Sequence, residues 1–187
     1  MSLRVTASQT VGPYYEIGLS PLYRAEIAPD ARSGESVRIR GRVLDGDGAP
    51  VPDAFLEIWQ ADTAGRFATT PEGALDPQAE FVGFARVPVD AQGAFELRTW
   101  KPGRVPARAP GKLQAPHLSV AVFMRGLLKP VHTRLYFPGE PANAEDPVLL
   151  SVPEARRATL IARAARQNVL EWDVHIQGEH ETVFFSF

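Results

Sequence analysis

His117 and Ser119 lie two residues apart in an alternating apolar segment, so their side chains share one face of a strand. An imidazole so placed could ligate a metal. One imidazole rarely holds a metal without companions, so His117 reads first as a partly buried polar residue with its hydrogen bonds met. The other histidines, His132, His175 and His180, stand at spacings that match no familiar metal template and read as core or surface polar groups. The chain has no cysteine, which excludes thiolate coordination and a disulfide framework. Arg134 and Tyr136 share one strand face while Leu135 and Phe137 share the other. Arg134 keeps two readings, a solvated or paired strand arginine or a cation placed to meet an anionic group. Gly12-Pro13-Tyr14-Tyr15 joins a backbone bend to two adjacent aromatic rings. Those tyrosines either anchor the N-terminal segment to an apolar surface or present it to a site elsewhere.

The elements that must position these residues are mostly strands. In residues 36–43 the apolar Val37, Ile39 and Val43 alternate with Arg38, Arg40 and Arg42, the period of a half-buried strand. The alternation makes the arginines an exposed face, solvated or paired with carboxylates, rather than a nucleic-acid stripe. Asp45-Gly46-Asp47-Gly48 and Asp90-Ala91-Gln92-Gly93 are turn signals. Further strands are predicted through Ala54, Leu56, Ile58 and Trp59, through Phe95, Leu97 and Thr99, and over 117–123, 133–137, 172–176 and 182–187. Residues 62–78 are polar and turn-rich and read as a long loop. Ser151-Val152-Pro153-Glu154 resembles a capping box, and Ala158, Ile161 and Ala165 then share one face, which predicts a helix over 153–166. Residues 1–35, with Pro13, Pro21 and Pro29, read as an extended N-terminal arm. The fold class expected is all-β: a sandwich of two mostly antiparallel sheets with long loops, that arm and one helix near the C-terminus. One domain over 1–187 is expected, with the arm at 1–35 and the sandwich at 36–187.

Composition narrows the functional classes. The 187 residues are 44% hydrophobic and 22% charged, ordinary for a globular protein, and the formal charge of −2 supplies no footprint for nucleic acid or anionic lipid. No apolar run reaches the ~18 residues of a membrane span. The first residues lack the apolar stretch of a secretory signal, so a cytoplasmic location is expected.

Longer motifs add a resemblance. The run from Leu56 through Trp59-Gln60-Ala61-Asp62 into Gly65-Arg66, then Trp100-Lys101-Pro102-Gly103, Ala115-Pro116-His117-Leu118-Ser119, Thr133-Arg134-Leu135-Tyr136-Phe137 and Gly178-Glu179-His180-Glu181-Thr182 resemble the intradiol ring-cleaving dioxygenase family over nearly the whole chain. Residues 41–54 alone would also suit a non-catalytic, transthyretin-like binding module, which is the alternative reading.

The resemblance implies a ferric centre held by two tyrosines and two histidines. Carried onto this chain, the tyrosine positions hold Phe67 and Val105, and the histidine positions hold His117 and Ser119. Phenylalanine and valine cannot ligate, and a neutral hydroxyl is a poor donor for a hard, highly charged ion. An arginine that precedes the His-x-His strand in catalytic chains aligns with Gln114. The implied role is therefore a non-metallated subunit with no catalytic residue of its own, paired in a higher (αβ)n oligomer with an iron-bearing relative that supplies Fe(III) and acts on a small aromatic substrate. In such a pair Thr10, Gly12, Pro13 and Tyr14, together with Arg134, would line the partner's substrate pocket, Arg134 near a substrate carboxylate.

Overall fold

The computed structural model describes residues 5–27, 35–70, 73, 74, 76, 81–108 and 110–186. Parts of the expected arm (1–4 and 28–34), of the long loop (71, 72, 75, 77 and 78) and of the last predicted strand (187) lie outside the described residues.

Two sheets face each other. The first is ordered β4-β1-β8-β7, with β9 also pairing β1, from strands β1 (Ser36–Leu44), β4 (Ala94–Trp100), β7 (Arg163–Arg166), β8 (Val169–Glu171) and β9 (Val174–His175). The second is ordered β3-β2-β5-β6, from β2 (Phe55–Trp59), β3 (Phe84–Pro88), β5 (His117–Phe123) and β6 (Val131–Tyr136). The second sheet is antiparallel throughout, whereas β1 runs parallel to β8 and β9. Alternation decides which side chains turn inward. Val37, Ile39, Val43 and Leu97 from one sheet meet Leu56, Ile58, Val87, Leu118, Val120, Val122 and Leu135 from the other in one buried core. This is the expected all-β sandwich.

Two of the outward arginines are paired: Arg40 meets Glu171 at 2.6 Å and Arg38 meets Glu96 at 3.4 Å. Gly41 has no Cβ where the Trp172 carbonyl crosses β1; a built Cβ would lie 1.8 Å from that oxygen. Both Asp-Gly turns form in the same way. Asp45 accepts from the Asp47 and Ala49 amides, and Asp90 accepts from the Gln92 and Ala94 amides.

Three expectations need correction. The arm is not extended throughout, because Pro13 starts a helix α1 (Tyr14–Leu19) that runs into a 3-10 turn, Ser20–Leu22. Six residues are too few for a helix to hold by itself, so α1 exists because it docks. Beyond it, Arg24 exchanges backbone hydrogen bonds with Arg86 of β3, and Ala25 and Ile27 bond Arg98 of β4, so the arm closes the edges of both sheets.

The helix expected over 153–166 is broken up. Helix α2 (Pro147–Ser151) precedes it, and Val152 is extended because the following proline disfavours the helical region. Helix α3 (Glu154–Arg157) then tightens into a 3-10 turn, Ala158–Leu160. Ser151 caps nothing downstream; its hydroxyl donates back to the Val148 carbonyl. Residues 163–166 instead form β7, an edge strand fully exposed along its length. Asn168, at φ 57°, turns the chain back into β8.

The two C-terminal strands are also shorter than predicted. Only Val174–His175 pair as a strand within 172–176, and among the described residues of 182–187 a single bridge joins Phe185 to His132. Strands β3, β7 and β8 were not predicted from the sequence.

Candidate functional site

The outer face of the second sheet carries the candidate residues. Trp59 of β2 pairs with Ser119 of β5, which pairs with Arg134 of β6, so three strands present these side chains in one row. His117 pairs with Tyr136 one step along, and their rings approach to 5.7 Å. Two loops cover this end. The loop after β2 puts the Phe67 ring parallel to Trp59, with centroids 6.3 Å apart. The segment after β4 brings Val105, whose carbonyl accepts from the Gln114 amide at 2.8 Å. The loops are stitched together where the Gly103 amide donates to Asp62 at 2.9 Å. Gly65 has φ +79° and lies so near Arg104 that a Cβ would sit 2.0 Å from its carbonyl oxygen. His117 and Ser119 thus share one end of this sheet face, Phe67 stacks over Trp59 at that end, and Val105 is bonded to the segment that leads into β5.

The donor chemistry at these positions does not fit ferric iron. The Phe67 and Val105 side chains offer no lone pair, and Val105 is 3% exposed. His117 Nδ1 lies 2.8 Å from the Ala115 carbonyl, which only accepts, so Nδ1 carries the proton and Nε2 keeps the lone pair. Burial, then the nearby Arg134 guanidinium, pushes the His117 pKa down to about 4, leaving a neutral imidazole. One imidazole and one hydroxyl cannot stabilise a trivalent ion that wants anionic oxygen donors.

A hydrogen-bonded chain holds the rest. Arg134 Nη1 donates to Gln114 Oε1 at 2.7 Å and to Tyr136 Oη at 3.3 Å, both neutral partners. The Gln114 amide nitrogen donates to the Pro106 carbonyl at 2.8 Å. Tyr136 is fully buried, its phenol pushed above its ordinary pKa chiefly by that burial, and its hydroxyl donates to Asp146 at 3.2 Å. Asp146, also fully buried, accepts from the Ala115 amide at 2.6 Å and caps α2 through the Val148 and Leu149 amides. Asp146 was not singled out from the sequence, although Asp followed by Pro147 is a helix-start signature.

A cavity of about 260 Å³ opens on this face between Trp59, Phe84, Ser119, Ala121, His132 and Arg134. A larger hollow of about 540 Å³ lies on the other sheet among Arg40, Glu171, Arg163 and Asp173 and gathers none of the candidate residues.

The arm reaches the opposite end of the same face. Tyr15 and Tyr23 pack on Phe55, which stacks on Phe123 at 4.7 Å. Thr10, Gly12, Pro13 and Tyr14 are exposed there, Tyr14 at 81%, and none bonds Arg134. Of the remaining histidines, His132 lines the cavity, while His175 of β9 and His180 meet edge to face at 6.0 Å.

The pattern of the Dioxygenase family matches residues 11–178. The chain is 46% identical to the protocatechuate 3,4-dioxygenase alpha chain of Burkholderia cepacia, covering 99% of this chain and 98% of that one. It is 34% identical to the beta chain from the same organism, over 80% of this chain and 67% of that one. Among solved structures, the dioxygenase domain of a dioxygenase carbohydrate-binding fusion from Streptomyces sp. SirexAA-E superposes with a TM-score of 0.63 at 27% identity, over 83% of this chain and 88% of that one. These likenesses extend far beyond residues 41–54, the stretch that a transthyretin-like module would share. A sandwich of this topology, matched end to end by such relatives, belongs to the intradiol ring-cleaving dioxygenase family.

Proposed function

We propose that this chain is the non-metallated, alpha-type subunit of a heteromeric protocatechuate 3,4-dioxygenase. The assembly would cleave 3,4-dihydroxybenzoate with O2 between its two hydroxylated carbons, giving 3-carboxy-cis,cis-muconate. The observation that carries the reading is a family scaffold kept along its full length while three of four ligand positions hold Phe67, Val105 and Ser119. Fe(III) would be held by a beta-type chain, and the likeness to such a chain supports descent of both subunits from one fold. Higher (αβ)n assembly and a cytoplasmic location belong to the same reading. So does a single domain over 1–187, which one core shared by both sheets supports.

This chain's part is to shape the partner's substrate pocket. Thr10, Gly12, Pro13 and Tyr14 would line it from the arm, where they are exposed. Arg134 would face the substrate carboxylate. Among the described residues its hydrogen-bond partners are the neutral Gln114 and Tyr136, which supports a guanidinium placed to meet an anion. Phe67, Val105, His117 and Ser119 would be the remnant of an iron site.

Co-expression with an iron-bearing beta chain tests this. Ring cleavage is expected only when both chains are present, with the iron recovered in the beta chain after separation. Stoichiometric ferric iron and turnover in this chain alone would overturn it.

A further inference from the structure

The arm around the start of α1 is pinned at two points. At one end, the Tyr15 hydroxyl donates to the Asp53 carbonyl, and its ring packs on Phe55 at 5.4 Å. At the other, the Thr10 hydroxyl oxygen accepts from the Gly126 amide at 2.8 Å. The two pins are tied together, because the Asp53 carboxylate holds Arg125, the residue before Gly126, at 2.5 Å. Between them Gly12, Pro13 and Tyr14 arch outward, and a Cβ built on Gly12 would meet nothing within 4 Å. Neither α1 nor this arch has enough internal bonding to hold its own position.

We infer that Tyr15 is a positioning residue: with Asp53, Arg125 and Thr10 it forms a latch that fixes the arch and so sets how tightly the assembly binds its aromatic acid. This rests on the reading that the arch borders the partner's pocket. A loose arch would still visit the bound position but would pay the ordering entropy each time, which appears in substrate affinity and not in the chemical step. Burial, then the Asp53 carboxylate, raises the Tyr15 phenol well above its ordinary pKa, so the hydroxyl stays a donor across the working pH range.

Tyr15→Phe tests the latch in the iron-loaded complex with a beta chain, since it keeps the ring on Phe55 and removes only the donor. KM for 3,4-dihydroxybenzoate is expected to rise roughly fivefold, the loss of one hydrogen bond, with kcat within about twofold and iron content unchanged. Tyr14→Ala, in the arch itself, separates the two levels. If Tyr14→Ala raises KM and Tyr15→Phe does not, the latch is overturned while the placement of the arch stands. If neither moves KM, the placement fails and the latch with it. Should Tyr15→Phe not assemble, Arg125→Ala releases the same tie from the hairpin side. A KM rise there supports the latch, and an unchanged KM overturns it.

Discussion

The Arg134 guanidinium of β6 donates to the Gln114 side chain at 2.7 Å, across the strand end that carries His117. A cation thus stands in the row of Trp59 and Ser119, and among the described residues its hydrogen-bond partners are the neutral Gln114 and Tyr136 side chains. Replacing Arg134 by Met keeps the aliphatic stem and removes the charge. In the assembled enzyme this should raise KM for 3,4-dihydroxybenzoate at least tenfold, about the worth of one charge-assisted pair, without loss of iron. Steady-state kinetics with metal analysis checks it; an unchanged KM would remove Arg134 from the pocket.

His117 should make stability depend on pH. Its folded pKa, about 4, lies below its unfolded value of 6.5, so the unfolded chain binds the extra proton between those limits. Stability contributed by the neutral imidazole is fully present above pH 6.5 and is lost as pH falls toward 4, by about 3 kcal/mol in all. Urea midpoints measured from pH 7.5 to 4 should show a shallower slope in His117→Gln than in the parent. Identical slopes would mean that His117 titrates normally in the folded chain.

Asp146 ties three elements to one buried carboxylate: the Ala115 amide, the start of α2 and the Tyr136 hydroxyl. Asp146→Ala orphans these donors and should cost about 3–5 kcal/mol, read from chemical denaturation. Asp146→Asn keeps one carbonyl acceptor and should cost about half as much. A loss under 1 kcal/mol in the alanine variant would refute this account of the junction.

If Phe67, Val105, His117 and Ser119 are the remnant of a metal site, restoring the lost donors should restore metal binding. Phe67→Tyr, Val105→Tyr and Ser119→His together with the native His117 restore two phenols and two imidazoles. The triple variant supplied with ferric salt should develop phenolate-to-iron visible absorption, and each single variant should stay colourless. A colourless triple variant with its fold intact would show that the four positions no longer converge on one point.

The sandwich was legible where apolar and polar residues alternate. Strands β1, β2, β4, β5 and β6 stand where Val37 to Val43, Leu56 to Ile58, Phe95 to Thr99, Leu118 to Val122 and Thr133 to Phe137 place them. Strand β7 was hidden because Arg163 to Arg166 is as good a helical sequence as any here. It pairs with β8 only because Asn168 turns the chain and Ala162 bonds the Tyr136 carbonyl at 3.0 Å. Helix α1 was missed for the opposite reason: its six residues have no amphipathic period long enough to read.

By itself the sequence determined the strand faces and the absence of ligating atoms at Phe67 and Val105, since pleat alternation and side-chain chemistry are local properties. Tertiary structure alone decided that Arg134 lies beside Gln114, that Asp146 serves three segments and that Tyr15 reaches Asp53. Those pairings join residues 20 to 38 positions apart, or three elements at once, and a hydrogen bond between distant segments exists only after the two sheets have packed and fixed their loops.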